Sequence, residues 1–124
     1  VLLVDYLQLI NSENERHNKH QVVAGSSTKL MLLAKKLEIP IVCLAQIKGE
    51  PGQKPQGALI RDAPSQCDAD AYSVIYVFRP GFEAETENAQ YNLAPDGTVL
   101  FITHKCRNGR PDYPDQAAIL DGAH

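Results

Sequence analysis

No stretch of this chain is apolar for long. The longest such runs lie near residues 1–10 and 39–47, well under the roughly 18 residues that a membrane-crossing helix needs. No basic-then-apolar leader opens the sequence either, so no membrane anchor is expected. Cysteine is scarce: Cys43, Cys67 and Cys106 are an odd number at irregular spacing, without a Cys-x-x-Cys pair. That excludes a disulfide framework and a thiolate metal site, and it predicts a reducing, cytoplasmic setting. A surplus of one charge sign is also lacking. Twelve Lys and Arg against fifteen Asp and Glu leave a net charge of −3, so any contact with nucleic acid must be local. With 44% hydrophobic and 22% charged residues, collagen-like, disordered and coiled-coil classes are excluded, and 124 residues predict one domain with one core.

What is present reads as alternating strands and helices. Val1-Leu2-Leu3-Val4 begins abruptly, without a methionine or lead-in, which predicts a segment cut from a longer chain. The same run, closed by Asp5, is the pattern of a strand buried on both faces of a parallel sheet. Residues 11–21 are almost entirely polar and predict a surface loop, with Ser26 or Ser27 as the helix N-cap before Thr28. From Ser27 to Glu38 the residues Leu30, Leu33, Ala34 and Leu37 recur at helical spacing, opposite Lys29, Lys35 and Lys36, so this helix is expected to pack on the sheet. Pro40 stops it, and Ile41 to Ala45 reads as a second buried strand that delivers Gln46 at its C-terminal end. Lys48 to Pro64 carries too many glycines and prolines for regular structure and predicts a functional loop. Tyr72 to Phe78 is a third strand, Gly81 to Glu87 an exposed acidic excursion, and Thr98 to Thr103 a fourth strand. Arg107-Asn108-Gly109 signals a tight turn, with Ala117 to Leu120 as the returning strand of a hairpin.

An aspartate just past the C-terminal end of a buried parallel strand stands where open α/β sheets bind ligands. Asp5 is such a residue, although taken alone it reads first as a turn or N-cap aspartate. Gln46 at the end of the next strand reads alone as a surface strand-end cap. Lys105 and Arg107 lie two apart on an extended segment, so their side chains share a face and can reach one anion together; the bland alternative is a solvated basic hairpin. The loop from Lys48 to Arg61 holds Lys48, Lys54 and Arg61 against Glu50 alone, which makes a phosphate track without a stacking aromatic. His17-x-x-His20 has metal-ligand spacing but sits in a polar loop and reads as two surface histidines. Cys106 lies between basic residues but has no partner base, and Asp68 with Asp70 reads as the cap of a short helical turn.

Asp5-Tyr6-Leu7-Gln8-Leu9-Ile10 resembles the Walker B segment of the DnaB-family replicative helicases, which are RecA-like ATPases. Ile39 to Gln46 resembles the family's next core strand, ending in its phosphate-sensing glutamine. Arg61-Asp62 followed by Asp68-Ala69-Asp70 resembles its DNA loop and the following strand entry, and His104-Lys105-Cys106-Arg107-Asn108-Gly109 resembles its Lys-x-Arg-Asn-Gly hairpin. Singly each motif is weak, but the four occur in order along nearly the whole chain. The resemblance implies an α/β, RecA-like, mostly parallel sheet with flanking helices, a partial core ending in a β-hairpin. It implies ATP and Mg2+ as cofactors, with Asp5 holding the magnesium through water and Gln46 sensing the terminal phosphate. It also implies that Arg107 is an arginine finger, with Lys105 beside it, presented to the ATP of a neighbouring subunit. Lys48, Lys54, Arg61 and Asp62 would meet single-stranded DNA in the channel of a hexameric ring of identical subunits, with a primase or loader as further partner. Where relatives usually carry glycine, this chain has Pro64, which offers no N–H to a phosphate.

The Gly-x-x-x-x-Gly-Lys-[Ser/Thr] loop is absent from the sequence, as is the upstream glutamate that the family uses to activate water. Residues 1–124 therefore read as the C-terminal part of a RecA-like motor domain, beginning at Walker B, and the isolated chain is expected not to hydrolyse ATP. Two rival readings keep the fold and change the function. One is a RecA-like recombinase or loader ATPase; the other is a non-catalytic module that binds DNA or a helicase subunit without turnover.

Overall fold

The computed structural model describes residues 1–10, 18–49, 54–79, 97–109 and 114–119. The chain divides into two compact units, Val1–Lys48 with Ala58–Ala71, and Gly49–Gly57 with Tyr72–His124. Where the length predicts a single core, each unit buries its own set of side chains.

The first unit is built on a strand, a helix and a parallel strand: β1 (Leu2–Val4), α1 (Lys19–Leu37) and β2 (Ile41–Cys43). The strands pair in the register Leu2 with Ile41, Leu3 with Val42 and Val4 with Cys43. A 3₁₀ turn at Leu7–Leu9 follows β1, and a short helix, α2 (Pro64–Asp70), closes the unit. Leu7, Val23, Ala63 and Cys67 form the buried cluster, with Leu30 and Cys43 packed against it. The expected burial of both sheet faces is not met: Leu3 and Val42, register partners that share a face, are 71% and 51% exposed, and on the other face Leu2 is exposed while Val4, Ile41 and Cys43 are half-buried.

Helix α1 begins about two turns earlier than the sequence pattern predicts. Asn18, not Ser26 or Ser27, is the N-cap: its side chain accepts from the Gln21 N–H at 2.9 Å, and the Gln21 side chain accepts from the Asn18 N–H at 3.2 Å. This reciprocal capping box satisfies two of the backbone donors that a helix start leaves free. Gly25, Ser26, Ser27 and Thr28 are weak helix formers, and burial of Val23 and Ser26 holds them helical. The buried stripe shifts accordingly, to Val23, Ser26, Leu30 and Ala34, while Leu33 and Leu37 face outward. Glu38 ends the helix in the left-handed conformation, φ 52°, and Pro40 follows. Residues 11–17, including His17, lie outside the described residues.

The second unit is an antiparallel sheet in the order β3 (Ser73–Phe78), β4 (Thr98–Cys106), β5 (Gln116–Ile119). Tyr76 pairs with Ile102, and with Val74 these bury one face, while Ile75 and Val77 on the other face are exposed. Strand β4 is longer than expected and runs through Lys105. A register shift between Val74 and Ile75 sets Val74 opposite Lys105 and Ile75 opposite Thr103, leaving His104 as the extra residue of a bulge. Its ring stacks on Tyr76 with centroids 5.4 Å apart. The chain turns at Arg107–Gly109, and β5 is the returning strand, antiparallel to β4 and paired with Thr98 to Phe101. The parallel ladder thus lies in the first unit, and the antiparallel ladders form the chain's closing hairpin sheet. The acidic stretch Gly81 to Glu87 lies outside the described residues. No helix of the described residues is long and apolar enough to cross a membrane.

Gly25 stands exposed inside α1, and a Cβ built on it meets nothing within 4 Å. Gly25→Ala is expected to stabilise the fold by about 0.5–1 kcal/mol, since alanine loses less backbone freedom on forming helix. Urea unfolding followed by circular dichroism checks this; an unchanged or lower midpoint would contradict the helical assignment at Gly25.

Candidate functional site

Because β1 and β2 are parallel and in register, their carboxyl ends reach one rim side by side. Leu44 N–H donates to Val4 O at 2.9 Å, and Leu7 N–H donates back to Leu44 O at 2.8 Å. Asp5, the first residue beyond β1, and Gln46, three residues beyond β2, therefore both stand on the carboxyl edge where open α/β sheets bind ligands. Asp5 and Gln46 are both exposed.

The loop that follows Gln46 is closed at its base by backbone pairing. Arg61 N–H donates to Gln46 O at 2.8 Å, Lys48 N–H donates to Leu59 O at 2.7 Å, and Ile47 bridges Ile60. The chain thus leaves the rim at Gln46 and returns to it at Arg61. Asp62 then adopts the left-handed region at φ 73°, a conformation that aspartate tolerates better than most side chains. Pro64 occupies the first turn of α2, where a backbone N–H would have no helical partner, so proline fits without cost to the helix.

Helix α2 is tied to α1 by a polar cluster. Thr28 Oγ1 lies 2.9 Å from Asp70 Oδ2 and 3.2 Å from Ala24 O, and Gln66 Nε2 donates to Asp70 Oδ1 at 3.0 Å. Asp68 and Asp70 sit inside α2 instead of capping a turn before the strand. Two residues apart on a helix, they do not face each other as a carboxylate pair would.

One residue of this rim, Gln8, lies inside the Asp5 to Ile10 motif, where the sequence assigns it no role of its own. The Gln8 amide donates from Nε2 to Gln46 O at 3.1 Å and to Arg61 O at 3.2 Å, while its Oε1 accepts from Gln46 N–H at 3.1 Å. Its one signal in the sequence is a polar amide inside the otherwise apolar run Leu7-Gln8-Leu9-Ile10.

In the second unit, Lys105 is the penultimate residue of β4, and Arg107 is an exposed turn residue just beyond it. The shared-face expectation assumed an extended segment through Arg107; the turn ends that segment, so the two-residue period does not govern the pair. One backbone and one side-chain bond tie down this end of β4: Arg107 N–H donates to Tyr72 O at 2.9 Å, and Ser73 Oγ donates to Lys105 O at 3.0 Å. Lys54 forms an ion pair with Asp115, which offsets its charge. Tyr76 Oη donates to Gly57 O at 2.6 Å, where the chain turns at φ 71°.

His20 lies on α1, and among the described residues no three His, Cys, Asp or Glu side chains gather to hold a metal. Burial pushes the Cys43 thiol above the ordinary cysteine range, and the neighbouring Cys67 adds to the shift. Burial does the same at Cys67; Asp70 pushes it further, and a hydrogen bond with Ser27 pulls part of the way back.

Two parallel strands that end at a common rim, joined by a packed helix and followed by an antiparallel sheet, define a RecA-like α/β fold. Two solved structures share it: the "ATPase Domain of G40P" (TM-score 0.71, 21% identity, covering 93% of this chain and 38% of that one) and "The Structure Of A DnaB-Like Replicative Helicase And Its Interactions With Primase" (TM-score 0.72, 20% identity, covering 93% and 26%). The family model "DnaB-like helicase C terminal domain" matches residues 1–115, and the chain belongs to that family. Relatives include the "Replicative DNA helicase DnaB" of Mycobacterium intracellulare, 35% identical over 88% of this chain and 18% of its own length. Another is the "Replicative DNA helicase DnaC" of Bacillus subtilis, 31% identical over 88% and 24%. The chain thus spans less than a quarter of the length of these two relatives.

The raised thiols carry a sign for stability. The folded state holds these protons more tightly, so their contribution is complete below the ordinary cysteine pKa and is lost as pH rises through the raised values. Alkylation of Cys43 and Cys67 at mildly alkaline pH is expected to run at least about tenfold slower in the native protein than in the urea-unfolded chain. Mass spectrometry of the labelled peptides reads this, and equal rates would overturn the shielding of the two thiols, Cys67 buried and Cys43 half-buried.

Proposed function

We propose that residues 1–124 are the C-terminal part of the RecA-like motor domain of an ATP-dependent replicative DNA helicase, with the phosphate-binding loop outside this segment. One observation carries the reading: Asp5 and Gln46 share a carboxyl rim on which both ends of a basic loop are bonded together at Gln46 and Arg61. A rim of this kind suits a nucleotide on one side and a polyanion on the other.

Asp5 is a lone, exposed hard-oxygen donor, and no protein cage surrounds it among the described residues. That fits magnesium, which keeps several waters and takes its remaining ligands from phosphate oxygens. Asp5 would hold the ion through its water shell, and the ion would supply charge neutralisation at the phosphates. The Gln46 amide would meet the terminal phosphate of ATP or orient the attacking water. Arg107, exposed on its anchored turn, would act as an arginine finger toward the nucleotide of a neighbouring subunit, with Lys105 as a second positive charge.

Lys48, Arg61 and the backbone around Asp62 would contact single-stranded DNA phosphates. Lys54 contributes less, because Asp115 already engages its ammonium. Identical subunits in a hexameric ring complete the sites, and ATP hydrolysis at their interfaces drives movement along the strand. One structural neighbour is a DnaB-like replicative helicase described with its interactions with primase, which supports a primase as a partner of the assembled protein, with a loader as another. A cytoplasmic setting follows from work on replicating DNA.

Arg107→Ala in the intact protein is expected to lower DNA-stimulated ATP hydrolysis by about a thousandfold while nucleotide affinity stays within a few fold. Steady-state hydrolysis and fluorescent-nucleotide titration measure the two; retained hydrolysis would overturn the finger assignment.

A further inference from the structure

We infer that Gln8 is a positioning residue that couples Gln46 to the loop ending at Arg61, so that its side-chain amide, beside the direct Arg61 N–H to Gln46 O bond, helps deliver the state of the nucleotide to the DNA-binding segment. The inference rests on the motor reading above and adds to it a residue and a direction of transmission.

The bonding is specific to glutamine. A primary amide has two N–H donors and one carbonyl oxygen, and here both donors are used on Gln46 O and Arg61 O while the oxygen takes Gln46 N–H. Gln46 O also accepts Arg61 N–H at 2.8 Å. Four hydrogen bonds therefore link three residues, and both backbone polar groups of Gln46 are held by a single side chain. The residue is half-buried, and the amide makes all three of its bonds to main-chain groups.

Gln8 is itself well anchored. It sits in the 3₁₀ turn beside Leu7, which is 5% exposed and whose N–H is bonded to Leu44 O. A displacement of the Gln46 backbone at the rim thus has two outcomes. Either the four bonds persist and Arg61 moves with Gln46, or the clamp opens and the Arg61 carbonyl is released with it. Arg61 responds in both cases, which is the property required of an element that links two sites. Glutamate at position 8 would keep the acceptor and lose both donors, methionine would keep the length and lose all three bonds, and asparagine would fall one methylene short.

The test is the ratio of single-stranded DNA affinities measured by fluorescence anisotropy with a non-hydrolysable ATP analogue and with ADP, in the intact protein carrying Gln8→Met or Gln8→Glu. The ratio in the wild-type protein measures the coupling, and both variants are expected to reduce it by about tenfold. Gln8→Glu retains one of the three bonds and serves if Gln8→Met does not fold. Combined with Arg61→Ala, either variant is expected to lose no more coupling than Arg61→Ala alone, because Gln8, bonded to the Arg61 carbonyl, acts by positioning the Arg61 guanidinium that meets DNA. Affinities that fall in parallel, with the ratio unchanged, would show a merely structural role and overturn the inference while leaving the motor reading intact. A wild-type protein whose DNA affinity ignores the nucleotide would overturn the motor reading and the coupling with it.

Discussion

The parallel register that sets Val4 beside Cys43 is the constraint on which the first unit depends. Three residue pairs of ladder are little by themselves, but they end two strands at one height. The chain then crosses its own rim twice, once after Asp5 and once after Ala45. Leu7 N–H and Leu44 N–H stitch those crossings together, and buried Leu7 ties them to Val23 of α1 and Cys67 of α2. A one-residue slip of either strand would turn its faces over relative to its partner and set Asp5 and Gln46 at different heights on the rim.

From that rim the first unit builds outward by backbone bonds and amides. Gln46 O accepts from Arg61 N–H and from Gln8, and Thr28 and Gln66 hold Asp70. In the second unit a charge pair, Lys54 with Asp115, takes part as well. The bonds to the Asp70 carboxylate are charge-assisted, while those among Gln8, Gln46 and Arg61 join neutral amide groups and are directional and little screened by salt. That suits a region proposed to change partners with a nucleotide while facing a polyanion. The basic residues proposed to meet phosphate, Lys48, Arg61 and Arg107, are exposed, which places their charge at the surface.

Much of this is legible along the chain, and the failures have physical causes. The strands at Leu2–Val4, Ile41–Cys43, Ser73–Phe78 and Thr98–Cys106 fall where apolar and β-branched runs predict them, within a few residues at their ends. The start of α1 escapes local reasoning because Gly25-Ser26-Ser27-Thr28 looks like an interruption to any local rule. A capping box at Asn18 and Gln21, together with burial of Val23, overrides that weakness. Lys105 lies in β4 and Arg107 in the turn just past its end, a boundary that the motif alone does not mark.

The sequence by itself determined the strands, their order and the residue types at the rim, because hydrophobic period, proline and glycine act within a few residues of where they stand. The motif order Asp5, Gln46, Arg61-Asp62, Lys105-Cys106-Arg107 was enough to point to the family. Only the tertiary structure decided that Gln8 belongs with Gln46 and Arg61, that Thr28 holds Asp70, and that Lys54 is engaged by Asp115. Those pairs are separated by 38, 53, 42 and 61 positions. A hydrogen bond has no signature in the intervening sequence; it exists because the folded chain brings a donor and an acceptor within about 3 Å.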